Sequence, residues 1–135
     1  QAKARTEQMI EKIEHVAIFV SDMGQADRFY GEMLGLDLVA RRQFGSTKIA
    51  FYRVGNSLLE LIQRAEPPKE PISEGLGTRH VCFRVRDMRA VWERLRTKGV
   101  EIPEPQELPG GVKNVFLKDP DGTSIELWEG PSPLD

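Results

Sequence analysis

The two histidines and two of the glutamates of this chain have the types and spacing to bind one divalent metal ion. His15 and His80 are the only histidines, and each begins a run of apolar residues. Glu60 and Glu126 lie inside apolar runs, where an unpaired carboxylate would be costly to bury. Glu60 follows His15 by 45 residues, and Glu126 follows His80 by 46. Two imidazole nitrogens and two carboxylate oxygens suit a borderline divalent metal and leave positions for water or substrate.

Each of these residues also has a simpler interpretation. A single histidine in a strand is more often a hydrogen-bonded core residue, and a glutamate in an apolar strand often lies at an exposed edge. Neither interpretation predicts that each residue type occurs twice at related positions, so the metal site is favoured. A related site that has lost its metal stays open as an alternative.

The four positions are related because the chain repeats itself once. His15 begins the run H-V-A-I-F-V-S-D-M, and His80 begins H-V-C-F-R-V-R-D-M at an offset of 65 residues. Phe51 matches Phe116 at the same offset, and the glutamate runs L-E-L and I-E-L match at 66. Separate segments that keep one register indicate two copies of one structural unit.

Each copy has the pattern of a strand, a helix and three further strands. The helix of the first copy is predicted to start at Ser21 or Asp22 and end at Gly35, and that of the second to start at Asp87 and end at Gly99. The predicted strands are 13–20, 37–41, 48–54 and 57–63 in the first copy and 79–85, 100–102, 113–118 and 123–128 in the second.

The predicted fold class is α+β, with two paired βαβββ modules that form a curved, mostly antiparallel sheet around a metal-binding cleft. A unit of this size cannot bury its sheet alone, so the modules must pack against each other or against a second chain. The predicted organisation is an N-terminal extension (1–12), a single domain (13–130) and a tail (131–135). Within the domain, module one spans 13–65, a linker 66–77 and module two 78–130.

Further candidates share the cleft face of the strands, because strand side chains alternate between faces. Arg84 has the charge to pair with an anionic substrate group, although a solvated arginine at a strand end is an equally good interpretation. The candidates for lining a substrate pocket are aromatic, and core packing would also explain most of them: Phe19, Phe51, Phe116 and Trp128.

Composition excludes several classes of function. The net charge of −2, the pI of about 5.8 and the scattered basic residues argue against binding nucleic acid or an anionic membrane surface. No apolar run has the length of a bilayer span, and the N-terminus does not resemble a signal peptide. Cys82 is the single cysteine, which excludes an internal disulfide and favours a cytoplasmic location. We expect a buried structural thiol, since His80 is its only evident base.

The motifs of residues 13–130 resemble the vicinal-oxygen-chelate superfamily, which includes glyoxalase I, methylmalonyl-CoA epimerase, extradiol dioxygenases and antibiotic-resistance proteins. The resemblance lies in the two histidine runs and in R-F-Y-G-E-M-L-G-L, L-L-E-L-I and K-D-P-D-G-T-S-I-E-L-W-E. These motifs are specific for the fold and say little about the substrate.

The resemblance implies a lyase or isomerase of the glyoxalase I type. His15, Glu60, His80 and Glu126 would hold one nickel, cobalt, manganese, iron or zinc ion. The metal would chelate neighbouring oxygens of a small hydroxy- or oxo-carbonyl substrate and stabilise an enediolate. Glu126, or alternatively Glu60, would act as the general base, with the other carboxylate returning the proton. Family members commonly form homodimers, with the cleft in one chain or between two.

Three alternatives remain within the family. Methylmalonyl-CoA epimerases resemble this chain in size, but they typically have glutamine in place of Glu60 and an extra acid where residues 48–50 offer none. Iron-dependent dioxygenases use two histidines and one carboxylate, so a fourth ligand argues against oxygen activation. A metal-free binding protein of the resistance type would not need both glutamates.

Overall fold

A computed structural model describes residues 9–71 and 75–135 of the chain, and the predicted βαβββ order occurs twice in it. Residues 1–8 of the predicted extension and 72–74 of the predicted linker lie outside the described residues. The first module contains β1 (His15–Phe19), helix α1 (Met23–Ala26) with a π-helical continuation (Asp27–Met33), β2 (Asp37–Phe44), β3 (Thr47–Val54) and β4 (Ser57–Gln63). The second contains β5 (Val81–Arg84), helix α2 (Met88–Thr97), β6 (Gln106–Leu108), β7 (Val112–Lys118) and β8 (Ser124–Glu129).

Each module forms one four-stranded mixed sheet. The strand orders are β1-β4-β3-β2 and β5-β8-β7-β6, so the first strand of each module lies at an edge. That edge strand pairs in parallel with the last strand of its module, and the remaining pairs are antiparallel. Within the described residues no strand ladder joins the two sheets.

Side-chain alternation separates a core face from an open face in both sheets. In β1, Ile18 is buried and Ala17 and Phe19 are exposed. In β8, the buried Ile125 and Leu127 point to the core. The predicted face assignment is confirmed: the open face carries the histidines, and the core face packs towards the helices.

Aspartates cap both helices. The carboxylate of Asp22 accepts the N–H of Gln25 at 2.9 Å, and that of Asp87 accepts the N–H of Ala90 at 3.1 Å. Asp22 is thus the N-cap of α1, whereas Ser21 donates to Asp121 of the second module. None of the helices among the described residues is long and apolar enough to cross a membrane.

The first helix differs from an ordinary α-helix beyond Ala26. It continues in π-helical geometry, in which the N–H of Leu34 donates to the carbonyl of Phe29, five residues earlier, at 2.9 Å. Phe29 and Tyr30 are buried in this stretch. The apolar spacing in the sequence does not distinguish the two helix types.

The predicted strand at 100–102 is wrong, because β6 begins six residues later. The N–H of Val100 bonds to the last turn of α2, and Ile102 is buried in the core. Pro103 and Pro105 then follow, and proline has no N–H to donate to a ladder. Strand pairing starts only after them.

One hydrophobic core joins the modules. It contains Tyr30 and Leu61 of the first and Trp92 and Leu127 of the second. Arg94 of α2 adds a polar connection, since its guanidinium donates to the carbonyls of Glu32 and Met33 at 2.7 and 2.9 Å. A cation is favourable at that helix end, where carbonyls lack intrahelical partners.

Candidate metal and catalytic site

The first module holds a histidine and a glutamate as a pair. The Nε2 atom of His15 lies 3.3 Å from Oε1 of Glu60. Phe51, opposite Glu60 in the β3–β4 register, meets the imidazole edge to face, with ring centroids 6.5 Å apart. We call His15 and Glu60 the first half-site. Its imidazole is exposed, whereas its carboxylate is largely buried.

The second module repeats this arrangement. The Nε2 atom of His80, directly before β5, lies 3.0 Å from Oε1 of Glu126. Phe116, opposite Glu126 in the β7–β8 register, meets the imidazole edge to face at 5.2 Å. Glu126 is only 8% exposed, which is unusual for a charged side chain. His80 and Glu126 form the second half-site.

The two half-sites do not come together in one chain. Within residues 9–71 and 75–135, no three histidine, cysteine, aspartate or glutamate side chains gather closely enough to hold a metal ion. The sequence predicted one site with four ligands, whereas a single copy of the chain holds two half-sites with two candidate ligands each. Both use the same atoms, Nε2 and Oε1, on the open face of their sheet.

The donor set of a half-site fits a cation. Nδ1 of His15 donates to Oε2 of Glu14 at 2.5 Å, and this hydrogen bond raises the pKa of His15. When the ring is neutral with its proton on Nδ1, the lone pair of Nε2 faces the carboxylate of Glu60, whereas the protonated ring, which a raised pKa favours, donates from both nitrogens. Two such electron-rich atoms stay in contact only when a proton or a metal ion lies between them. A carboxylate on the distal ring nitrogen is also the common support of a metal-binding histidine.

Sequence analysis missed Asn114 and Glu14. Nδ2 of Asn114 donates to Oε2 of Glu126 at 3.0 Å, between two buried side chains. The signal for Asn114 was available, because alternation places it on the same face of β7 as Phe116. The signal for Glu14 was weaker, since neighbours along an extended chain usually point to opposite sides.

Arg84 lies on the open face as predicted and already has an anionic partner. Its guanidinium binds the carboxylate of Asp135 in a bidentate pair at 3.0 and 2.7 Å and donates to the carbonyl of Gly130 at 2.8 Å. Arg84 is the last residue of β5 and its side chain is exposed, so it is a solvated arginine at a strand end that also holds a surface ion pair. Its contact with a substrate stays a prediction.

The predicted aromatic residues also lie on the open face. Phe19 is 47% and Phe116 46% exposed, so core packing does not account for these two. The guanidinium of Arg64 lies 4.9 Å from the ring centroid of Phe19. The indole N–H of Trp128 donates to the carbonyl of Pro131 at 3.3 Å. A role in lining a substrate pocket stays a prediction for all four, including Phe51.

The prediction of a buried Cys82 is wrong. The residue is exposed, because alternation along β5 places it on the open face with His80 and Arg84. Desolvation and the adjacent carboxylate of Glu126 raise the pKa of the thiol to about 11. The thiol therefore stays protonated at neutral pH and is a weak nucleophile.

Comparisons with known proteins show which family the chain resembles. A family model described as the Glyoxalase/Bleomycin resistance protein/Dioxygenase superfamily matches residues 12–127. A probable lactoylglutathione lyase of Synechocystis sp. is 30% identical over 129 residues, which cover 90% of this chain and 97% of that protein. The crystal structure of a glyoxalase family protein from Enterococcus faecalis has a TM-score of 0.79 at 29% identity. The match covers 90% of this chain and 100% of the Enterococcus chain.

The same fold also occurs in a binding protein. The antibiotic-binding protein TnmS3 of Streptomyces sp. CB03234 has a TM-score of 0.73 at 24% identity, covering 93% of this chain and 100% of its own, a likeness of fold alone. The family model, by contrast, spans nearly the whole chain and both half-sites. The chain therefore belongs to the glyoxalase/bleomycin resistance protein/dioxygenase superfamily.

Proposed function

We propose that the protein is a metal-dependent lyase or isomerase of the glyoxalase I type. It would act on a small hydroxy- or oxo-carbonyl compound and move a proton between neighbouring carbon atoms. The observation that carries the proposal is the matched pair of half-sites, each with an imidazole Nε2 beside a carboxylate Oε1 on an open sheet face.

The complete site would form between two copies of the chain. His15 and Glu60 of one copy would meet His80 and Glu126 of the other, which supplies four ligands where one copy offers two. Strand β1 begins at His15, and β5 begins directly after His80. Both are edge strands, and each has one side without a ladder partner among the described residues. A twofold axis would create two identical sites per dimer.

The residues of the site would bind the substrate and transfer the proton. A metal ion held by the four ligands would draw electron density from two adjacent substrate oxygens and so acidify the neighbouring C–H bond. Oε1 of Glu126 would accept that proton as general base. Oε1 of Glu60 would return a proton to the adjacent carbon, and passage of the proton from Glu126 to Glu60 through solvent would restore both carboxylates. Phe19, Phe51 and Phe116 would exclude water from the reacting atoms.

The substrate class follows from the proposed chelation. A molecule with a hydroxyl and a carbonyl oxygen on adjacent carbons can present both oxygens to one metal. The lactoyl group named in the Synechocystis relative is such a 2-hydroxyacyl group. We therefore propose a 2-hydroxyacyl thioester, or the oxo-carbonyl compound from which it forms, as the substrate.

Metal content per chain is the first experiment. The wild type, incubated with Ni²⁺ and freed of excess metal, is expected to retain one metal ion per chain by elemental analysis. The variant His15→Ala is expected to lose most of it, because the site then has three ligands. Glu60→Gln should also lower the content, since an amide is a weaker ligand than a carboxylate.

The matched control is Glu93→Gln, a change in an exposed glutamate of α2. It should leave the metal content unchanged. A wild type that retains no metal after incubation with nickel, cobalt, manganese, iron and zinc would contradict the proposal.

A second candidate is a metal-free binding protein, which the exposed aromatic rings of Phe19 and Phe116 favour. Such a protein would bind an apolar probe such as anilinonaphthalene sulfonate saturably in the presence of EDTA. It would show no proton exchange on a lactoyl thioester with any metal. Probe binding that requires metal would rule this candidate out.

A further inference from the structure

Asn114 is a buried amide on the open face of the second sheet. It pairs with Trp128 in the β7–β8 register and stands two residues before Phe116, so it shares the face that carries Glu126. Asn114 is only 8% exposed. A polar side chain at such a position normally has its hydrogen bonds satisfied.

The amide holds one oxygen of the glutamate and leaves the other to the histidine. Nδ2 of Asn114 donates to Oε2 of Glu126 at 3.0 Å. Oε1 of the same carboxylate lies 3.0 Å from Nε2 of His80. The carboxylate is therefore fixed in rotation, with Oε1 as the atom that faces the ligand histidine.

The orientation of the amide leaves its carbonyl unpaired. An ionised carboxylate can only accept hydrogen bonds, so the NH₂ group must face Glu126 and the carbonyl must face away. Within the part of the chain that the structure describes, Oδ1 of Asn114 is buried and has no hydrogen-bond partner. An unpaired buried acceptor costs free energy, which an apolar side chain would avoid.

The first module shows that the strand itself does not need an amide here. Ile49 holds the equivalent position, since it pairs with Ile62 as Asn114 pairs with Trp128. Ile49 packs in a strand of the same type and offers Glu60 no hydrogen bond. The difference between the modules is therefore a difference in how their glutamates are held.

We propose that Asn114 is a positioning residue for Glu126. By holding Oε2, it keeps Oε1 beside Nε2 of His80, so the second half-site is prepared for a metal ion before the ion arrives. The first half-site lacks this support, and the second dominates the affinity for metal. The inference rests on the proposed function, because it assumes that Glu126 is a ligand.

The test compares metal affinity with the stability of the metal-free protein. Asn114→Leu keeps the branched shape of asparagine and removes the donor. Asn114→Ile copies the residue of the first module and serves if the leucine variant folds poorly. Titration with Ni²⁺ in a calorimeter is expected to give an affinity roughly 10- to 100-fold below that of the wild type. The thermal midpoint of the metal-free variant should change little, because the loss of the donor to Oε2 of Glu126 is offset by the removal of the unpaired carbonyl.

The matched control is Ile49→Val, which changes the equivalent position of the first module without touching a hydrogen bond. It should leave the Ni²⁺ affinity unchanged. A purely structural Asn114 would give the opposite pattern, with a lower thermal midpoint and unchanged affinity in folded protein, and this result would overturn the inference. A wild type that binds no Ni²⁺ would overturn the metal site and this role together. If the wild type binds Ni²⁺ and both Asn114 variants bind it with the same affinity as the wild type, the role of Asn114 alone is overturned.

Discussion

The hydroxyl of Tyr30 donates a 2.6 Å hydrogen bond to the buried carboxylate of Asp119, and this bond joins the two modules. Asp119 also accepts the N–H groups of Asp121 and Thr123, each at 2.9 Å, in the turn between β7 and β8. Burial raises the pKa of Asp119, and the hydrogen bonds from its three donors oppose that rise. The same carboxylate thus shapes a turn of one module and binds the helix of the other.

Tyr30→Phe should destabilise the fold by about 1–3 kcal/mol, because it removes one donor from a buried acceptor. The free energy of unfolding in urea measures the loss. Tyr52→Phe is the matched control, since the hydroxyl of Tyr52 donates to Asp27 within one module and Asp27 also has Arg41 as a partner. We expect a smaller loss there, and equal losses would contradict a special role of the bond between modules.

Glu126→Gln should abolish proton transfer while the fold is retained. An amide oxygen does not accept a proton at neutral pH, so the rate should fall by a factor on the order of 10² or more. Exchange of the lactoyl C–H for deuterium in D₂O, followed by NMR on lactoylglutathione, measures this step directly. Full exchange in a folded, metal-loaded Glu126→Gln protein would exclude Glu126 as the base.

A site shared between two copies makes a mixing experiment decisive. His15→Ala and His80→Ala should each bind little metal alone. When the two variants are mixed, unfolded and refolded together, half of the dimers would contain one copy of each variant. One of the two sites in each of these dimers would keep all four ligands. About a quarter of the wild-type metal content should therefore return on mixing. No recovery would indicate a site within one chain, where neither variant can complete the other.

The ion pair of Arg84 and Asp135 should be visible in a titration. The hydrogen bond from Arg84 lowers the pKa of Asp135 to about 2. The folded-state pKa lies below the ordinary 3.8, so the stabilisation is present above pH 3.8 and is lost as the pH falls towards 2. Both side chains are largely exposed, and a surface pair contributes little to stability, so the carboxyl NMR shift is a better measure than unfolding.

In Arg84→Ala the carboxyl of Asp135 should titrate closer to 3.8. Arg89→Ala is the matched control, because it breaks a different surface pair, that of Arg89 with Glu104. It should leave the titration of Asp135 unchanged. A shift of Asp135 that is equal in both variants would mean that Arg84 is not its cause.

Much of the architecture was predictable because its signals are local. The faces of β1 follow from strict alternation, which places His15, Ala17 and Phe19 together. The helix starts follow from aspartates that bond to a backbone N–H three residues later. The sixth strand was not predictable from hydrophobicity, since Ile102 is apolar because it fills the core and not because it pairs in a sheet.

The repeat in the sequence determined that a histidine and a glutamate recur at related positions, so His15, Glu60, His80 and Glu126 could be named as candidates from residue type and spacing. Only the tertiary structure decided that one chain holds these pairs as two separate half-sites. It also decided that Asn114 supports the second pair, since that contact depends on the register of neighbouring strands. The physical reason is the range of the interactions. Alternation and capping act over a few residues, whereas the relation between the modules depends on contacts such as that of Tyr30 with Asp119, which are 89 residues apart.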